Sequence, residues 1–285
     1  MNQSTIEQLL SILPRNKTIE SNIPGLFFYC ADKPSKAVSY MQEPSICIVL
    51  QGAREIYLGA DCQRFDKSDL MFCPVNIPLS MHIKHASVER PVIVLSMKLN
   101  LALISEVLVK TPPKQPNAEG HLGIKWQLDS TIMAAFERLI HLLDYPNDIE
   151  FLASLIQQEI YYRLLIAEQG NKLRQLVVNG SHTHRITQAT DWIKTHLNEV
   201  IVIEELASRC GMSVSSFHHH FKEITQLSPL QYQKSLRLME ARQLIQANDA
   251  QIAQIAMQVG YESPSQFSRE YKRLFGISPS GELHA

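Results

Sequence analysis

Cysteine is scarce in this sequence, and its placement argues against two kinds of stabilising cross-link. The five cysteines are odd in number, scattered along the chain, and without a Cys-x-x-Cys pair. A disulfide framework normally has an even number of cysteines, and a structural zinc site normally uses Cys-x-x-Cys pairs. We therefore expect reduced, mostly buried thiols.

Long apolar runs and a strong net charge are also missing. No apolar run approaches the roughly 18 residues of a membrane span, and residues 1–16 lack the basic start and apolar stretch of a signal peptide. The net charge of −1 disfavours a general polyanion or membrane-surface binder. We expect a cytoplasmic protein, and 285 residues suffice for two domains with separate cores.

An internal repeat is the main feature that is present. Between residues 203 and 284 the same pattern occurs twice, about fifty residues apart. The first copy contains Leu206, Ala207, Gly211, Ser213, Phe217, Phe221, Lys222, Ser228 and Pro229; the second contains Ile255, Ala256, Gly260, Ser263, Phe267, Tyr271, Lys272, Ser278 and Pro279.

Each copy has the composition of a helix-turn-helix. Short helices are predicted over 204–209 and 252–258, each with an alanine small enough for close helix packing. Gly211 and Gly260 follow, where the turn needs a left-handed residue. A serine cap then begins a second helix in each copy.

The second helix of each copy has an apolar and a polar face at 3.6 residues per turn. The polar faces carry Ser215, His219, Lys222 and Glu223 in the first copy, and Ser265, Gln266, Arg269, Lys272 and Arg273 in the second. Such faces fit the DNA major groove, where Arg and Gln contact base edges and Lys holds phosphates. The alternative is that they are solvated faces of a helical bundle.

Charge along residues 181–285 supports DNA binding through its distribution, since ten Lys/Arg balance ten Asp/Glu. The polar face of the second copy is cationic, whereas the first copy has Glu223 at the position equivalent to Arg273. We therefore expect the second copy to supply more of the phosphate attraction.

A breaker-free stretch joins the two copies. Ser228 and Pro229 have the pattern of a helix cap and first turn, and the chain to about residue 246 predicts one rigid helix of roughly 25 Å. Such a strut would hold two recognition helices about 34 Å apart, which is one turn of the duplex.

The last hundred residues resemble the DNA-binding domain of the AraC/XylS family of bacterial transcription regulators. The resemblance rests on residues 191–193, 205–207, 211–213, 220–222, 228–232, 237–238, 240–242 and 260–271, together with Phe217. It implies that Ser215, His218, His219, Ser265, Gln266 and Arg269 face the major groove. Related sequences often have Arg at the position of His219, and a neutral imidazole offers one N–H where Arg offers a bidentate fork.

The run of His218, His219 and His220 does not predict a metal site. Consecutive helical residues point about 100° apart and cannot converge on one ion. We expect His220, on the core side, to be a packed histidine, and we predict neither a metal nor a cofactor.

The N-terminal part has short apolar runs between turn residues, typical of a small antiparallel β-barrel or sandwich. Strands are predicted over 26–30, 46–51, 55–58, 69–73, 80–84 and 92–98. Residues 43–52 and 89–91 resemble the cupin-type sensor domain of a subgroup of the same family. The predicted fold is therefore α+β: a cupin-like barrel over about 20–98 with flanking helices, followed by an all-α domain of two helix-turn-helix units joined by a long helix.

A barrel mouth is a natural cavity for a small effector. The candidate pocket residues are Cys47, Tyr57, Met71, Cys73, Met81 and His82, and the alternative for each is ordinary core packing. A further hypothesis is electrophile or redox sensing by Cys47 or Cys73. A metal enzyme is disfavoured because His82 and His85, three apart on a strand, face opposite sides.

Helices are predicted over 99–110, 130–143 and 149–168, with a loop over 111–123. The last helix carries an apolar stripe at helical spacing: Phe151, Leu152, Leu155, Ile156, Ile160, Tyr161, Leu164 and Leu165. Its partner is either the barrel or the same helix of a second subunit. We therefore predict a sensor and dimerisation domain over 1–175, a linker over 176–183 within the linker stretch 171–183, and a DNA-binding domain over 184–285.

The sequence as a whole predicts a DNA-binding transcription regulator controlled by a small effector in its N-terminal domain. Its expected partners are double-stranded DNA, an unidentified effector, a second copy of the chain and, for an activator, RNA polymerase. The alternatives are an effector-independent DNA-binding dimer, or a cupin enzyme with an attached DNA-binding module. The enzyme is disfavoured because no nucleophile with a base, no paired carboxylates and no metal-ligand set at usable spacing are visible.

Overall fold

The computed structural model of the chain describes residues 2–58, 61–112, 124–178, 180–247 and 251–283. Ten strands lie in the N-terminal part: β1 Lys17–Glu20, β2 Leu26–Ala31, β3 Ser35–Gln42, β4 Ser45–Gln51, β5 Ala53–Leu58, β6 Asp61–Asp66, β7 Asp69–Cys73, β8 Ile77–Ile83, β9 Val92–Lys98 and β10 Lys125–Gln127. Helix α1, Gln3–Ile12, precedes them, and α2 Leu101–Lys110, α3 Ser130–His141, α4 Ile149–Ile166 and α5 Gly170–Val177 complete this part.

The strands form two antiparallel sheets. One has the order β1-β2-β9-β4-β7-β10 and the other the order β3-β8-β5-β6. The α+β class is confirmed, but the closed barrel is not: the described strands make two separately hydrogen-bonded sheets whose inner faces share an apolar core. This is the sandwich alternative, in which sheets pack face to face without joining at their edges.

All six predicted strands are present, and four others escaped prediction. Three of the four (β1, β3 and β6) carry mostly exposed or half-buried residues, and three-residue β10 buries only Trp126. All four lie at the edges of their sheets. An edge strand that is half solvated lacks the apolar run on which the predictions depended.

The helices of the N-terminal part pack on the outer face of the larger sheet. Their core includes Leu9 of α1, Phe136 of α3, Tyr161 of α4 and Leu173 of α5. Most of helix α5 lies within the predicted linker stretch 171–183, and α6 begins at His182. The stretch is thus more helical than predicted, because Leu173 and Leu176 bury there. Of the predicted loop 111–123, residues 113–123 lie outside the described residues.

The regular elements described in the C-terminal part are all helices. Its helices are α6 His182–Thr195, α7 Ile203–Arg209, α8 Val214–Thr225, α9 Pro229–Ala247, α10 Ile252–Gln258, α11 Pro264–Phe275 and α12 Pro279–Glu282. The helices α7 and α8 form the first predicted helix-turn-helix unit, and α10 and α11 form the second. Helix α9 is the strut, and its 19 residues give it a length of about 28 Å.

The two helical units are attached differently to the sheets. The apolar cluster between the sheets continues into the first unit through Phe217 and Phe221, whereas the second unit has a smaller cluster of its own. The buried Tyr232 hydroxyl donates to the Asn76 carbonyl at 2.7 Å. The second unit meets strand β3 where Ser39 Oγ donates to the Leu274 carbonyl at 3.4 Å.

Candidate nucleic-acid interface

The turns of both units have the predicted left-handed glycine. Gly211 has φ +60° and Gly260 has φ +88°. Ala207 and Ala256, almost fully buried, lie in the short helices before them, as close packing of the second helix requires. The two copies of the sequence pattern therefore give two copies of one backbone geometry.

Serine caps begin both second helices. Ser213 Oγ accepts from the backbone N–H of Ser216, and Ser263 Oγ accepts from that of Gln266, each at 3.3 Å. Pro264 occupies the first turn of α11, where no N–H partner is lost. These caps fix where each polar face starts.

An arginine holds each turn from the preceding long helix, a contact that sequence reasoning missed. Arg185 Nη1 of α6 donates to the Gly211 carbonyl at 2.7 Å, and Arg237 Nη1 of α9 donates to the Gly260 carbonyl at 2.7 Å. Arg237 also binds the carbonyls of Leu197 and Glu199, so it ties the second turn to the end of α6. The sequence signal for this contact was an arginine that precedes each turn glycine, by 26 residues in the first unit and by 23 in the second.

All nine predicted DNA-contacting side chains are exposed. They are Ser215, His218, His219 and Lys222 on α8, and Ser265, Gln266, Arg269, Lys272 and Arg273 on α11. On the opposite faces Phe217, Phe221, Phe267 and Tyr271 are buried. Each helix thus presents one polar face, and only α11 carries two arginines on it.

Glu270 restrains the polar face of α11. Its carboxylate accepts from Gln266 Nε2 at 3.1 Å, from Lys234 Nζ at 3.1 Å and from the Tyr261 hydroxyl at 2.8 Å. Burial alone would raise the pKa of Glu270, but these hydrogen bonds outweigh it and lower the pKa below its ordinary value. This contact uses one N–H of the Gln266 amide and leaves its second N–H and its carbonyl oxygen available.

The histidine run behaves differently on its two sides. His218 and His219 are exposed, whereas His220 stacks on His182 with ring centroids 3.8 Å apart and lies 3.1 Å from Glu223 Oε2. The three histidines do not converge, but His219, His220 and Glu223 place one potential ligand atom each within 4.8 Å of one another. The sequence analysis did not consider Glu223, one helical turn further on, as a potential metal ligand.

The six candidate pocket residues fall on two faces of the sheets. Cys47, Met71, Cys73 and Met81 are buried in the core between the sheets. Tyr57 and His82 lie on the outer side: the Tyr57 hydroxyl donates to Glu55 Oε2 at 2.9 Å, and His82 Nδ1 is 3.7 Å from the same atom. Tyr57 and His82 therefore do not line the interior with the other four, because the strand alternation turns them outward.

Burial also bears on the cysteine hypothesis. It raises the pKa of the Cys73 thiol well above its ordinary value, which disfavours the thiolate needed for attack on an electrophile. Cys47 is likewise buried, and its thiol donates to Ser96 Oγ at 3.3 Å. Nothing in this geometry favours a reactive cysteine in the sheet core.

A cleft lies between the sheets and the helical domain. It has a volume of about 920 Å³ and is lined by strand β3, the end of α6 and helix α9. Tyr40 and Met41 form part of one wall, and Leu236 and Arg242 part of the other. Strand β3 thus forms part of the cleft wall and lies between the sheet core and helix α9.

The apolar stripe of α4 is divided between core and surface. Ile160, Tyr161, Leu164 and Leu165 are buried, whereas the side chain of Phe151 is 74% exposed. Leu152, Leu155, Tyr162 and Ile166 are exposed as well. None of the helices within the described ranges is both long and apolar enough to span a membrane.

Comparison with known families gives two matches. A model described as the N-terminus of AraC-type transcriptional regulators matches residues 22–172, and one described as a helix-turn-helix domain matches residues 206–283. The HTH-type transcriptional activator RhaS of Escherichia fergusonii is 29% identical over 161 residues, 56% of this chain and 57% of that protein. RhaS of Klebsiella pneumoniae is 26% identical over 180 residues, 63% and 62%. The chain thus spans about three fifths of the length of these relatives.

The solved structures that resemble most of the chain include two of ToxT. Apo ToxT from Vibrio cholerae has a TM-score of 0.57 at 12% identity, with 93% of this chain and 99% of ToxT covered. Wild-type ToxT bound to an unsaturated fatty acid has a TM-score of 0.54 at 12% identity, with 93% and 97% covered. At this identity the likeness shows a shared fold.

Proposed function

The chain belongs to the AraC family of DNA-binding transcriptional regulators, and on this premise we propose that a small effector bound in its N-terminal domain controls how two helix-turn-helix units engage DNA. The observation that carries the proposal is the pair of exposed polar faces on α8 and α11, joined by the single helix α9. Two units in one chain favour a tandem, asymmetric site over a palindrome with one unit per subunit.

The DNA contacts would divide between recognition and attraction. Arg269 and Gln266 are suited to base edges, and His219 with Ser215 offers weaker, more permissive contacts. Lys222, Lys272 and Arg273 are suited to phosphates, and two of these three lie on α11. The second unit would therefore dominate both base discrimination and salt dependence.

A second copy of the chain is the proposed partner for α4. Phe151 and its exposed neighbours form an apolar strip on the outside of the N-terminal part, and uncovered strips of this kind mark interaction sites. A two-fold arrangement would pack the strip against its own copy. The proposed limits are 1–175 for the effector and dimerisation domain, 176–183 for the linker and 184–285 for the DNA-binding domain.

Activation is the proposed outcome, since RhaS is described as an activator, and RNA polymerase is then a further partner. A cytoplasmic location accords with that role. An effector-independent dimer would bind DNA equally but would gain no stability from any small molecule, because only a ligand-binding native state gains by mass action.

Binding to genomic fragments over a salt series tests the regulator function. Purified protein should retain a few fragments specifically, foremost the DNA upstream of its own gene, and the retained DNA is sequenced. The matched control is Arg269→Ala, which should lose the specific fragments. Weak retention that ignores sequence at every salt concentration would contradict the proposal.

A further inference from the structure

Arg54 is the one lysine or arginine that is buried among the described residues, with 4% of its surface exposed. It lies on β5 and faces the same way as Ile56 and Leu58, into the core between the two sheets. Its strand neighbour across β6 is Phe65. A full positive charge therefore sits among apolar side chains.

Besides the neutral Tyr40 hydroxyl, the guanidinium has only weak partners. Nη1 lies 3.8 Å from Met81 Sδ, Nη2 lies 3.9 Å from Met71 Sδ, and Nε has no partner among the described residues. A thioether is a poor acceptor, and an arginine does not lose its proton in a protein. The charge is thus retained and barely compensated.

The polar groups nearby supply no anion. The Tyr40 hydroxyl is within hydrogen-bond reach of Arg54, but burial raises the pKa of Tyr40, so the phenol stays neutral. Burial likewise keeps the Cys73 thiol protonated by raising its pKa. No carboxylate of the described chain forms an ion pair with Arg54.

Such an arrangement weakens the fold unless something else enters it. A buried charge without a counter-ion is costly, and an apolar side chain of similar volume would be at least as stable. A guanidinium also presents paired N–H groups that match the two oxygens of a carboxylate. A ligand that carries a carboxylate would supply the partner that the described residues do not provide.

The residues around Arg54 limit the chemical class of the anion that would bind there. A phosphate dianion would call for a second cation, whereas the walls here are apolar: Ile56, Phe65, Leu79 and the two methionines. Methionine side chains rearrange readily to admit a ligand. The charged residues Lys194 and Glu199 on the wall of the interdomain cleft are, by contrast, exposed to solvent.

We propose that Arg54 is the anchor for a small organic monocarboxylate, which binds between the two sheets with its apolar body against Met71 and Met81. The proposal rests on the proposed role of the N-terminal domain as an effector domain and names the chemistry of its ligand. Tyr40 on β3 links the site to the DNA-binding helices, because β3 also borders the interdomain cleft and contacts Leu274.

Thermal unfolding of the full chain tests this with sodium hexanoate and sodium benzoate. Hexan-1-ol, benzyl alcohol and sodium chloride at equal concentration are the uncharged and ionic controls. At about 10 mM at least one of the two carboxylates should raise the unfolding midpoint by about 2–4 °C and saturate, while the controls do not. Failure of both carboxylates to exceed their controls would overturn the proposal.

Two variants separate a ligand anchor from a structural arginine. Arg54→Met should leave the ligand-free midpoint unchanged or higher and abolish the carboxylate shift, whereas Arg64→Met on the exposed face of neighbouring β6 should keep it. A ligand-free Arg54→Met protein that is clearly destabilised, or one that keeps the shift, would contradict the anchor role. Specific DNA retention is scored separately, so a parent chain that shows no carboxylate shift but still retains specific DNA rejects only this inference.

Discussion

The two helix-turn-helix units share a backbone and differ in what they expose. Both have a buried alanine, a left-handed turn glycine and a serine cap, and in both an arginine from the preceding long helix holds the turn. The polar face of α8 presents serine and histidine side chains, and that of α11 presents glutamine and arginine side chains. A few packing and turn residues thus fix the geometry, while the outward positions remain free to set charge and base preference.

The attachment of the units differs as well. The first unit shares its core with the sheets, whereas the second has a separate small core and reaches the sheets through β3. Because its core is smaller, the second unit should tolerate backbone strain less well than the first. The comparison therefore predicts asymmetric effects from matched substitutions.

The largest effect is expected at the turn glycines. An added Cβ at Gly260, at φ +88°, would lie 2.8 Å from the guanidinium of Arg237, whereas at Gly211 the nearest atom is 3.4 Å away. Gly260→Ala should cost about 2–3 kcal/mol and Gly211→Ala about 1 kcal/mol, from left-handed strain plus displacement of the arginine. Urea unfolding followed by circular dichroism measures both, and equal losses would remove the asymmetry.

The next effect concerns base recognition. Arg269→Ala should weaken specific DNA binding about 10- to 100-fold, because a bidentate contact is lost, and His219→Ala only about threefold. Titration of a retained genomic fragment at fixed salt gives both values. A larger loss from His219→Ala would mean that the first unit dominates recognition.

Salt dependence should show the same bias more weakly. Replacing Lys272 and Arg273 together by alanine should reduce the slope of log affinity against log salt by about 2, and Lys222→Ala by about 1. Lys17→Ala, on the exposed strand β1, is the control and should leave the slope unchanged. A slope that changes only in Lys222→Ala would show that the first unit, and not the second, makes the phosphate contacts.

The smallest effect is the acid dependence of the second unit. The pKa of Glu270 in the folded chain lies below its ordinary value of 4.5, so its stabilising contribution is complete above that pH and is lost as the pH falls through the lowered pKa. Glu270→Gln should therefore lower the thermal midpoint at neutral pH, and the gap to the parent should close on acidification. Exposed Glu262→Gln is the control, and a gap that stays constant with pH would show that the charge of Glu270 does not matter.

Local patterns predicted the helical domain well and the sheets in part. The repeat fixed both helix-turn-helix units, because glycine turns and serine caps act within a few residues. The clamp by Arg185 and Arg237 depends on contacts 23 to 26 residues away, and nothing local marks it.

The sheet domain was harder for a physical reason. The edge strands β3 and β6 are half solvated, so their apolar signal is faint. Arg54 did have a signal, since it shares the alternation of Ile56 and Leu58, but the strand was predicted to start one residue later, at 55. The outward positions of Tyr57 and His82 follow from the same alternation once the inner face is known.

The central claim is that two unlike units on one strut engage two adjacent major-groove segments. Hydroxyl-radical footprinting of the full chain on a specifically retained fragment tests it most directly. We predict two protected segments on one face of the duplex, about 10–10.5 base pairs apart. In Arg269→Ala, protection of the segment under the second unit should be lost first. A single protected segment, or two on opposite faces, would contradict the account.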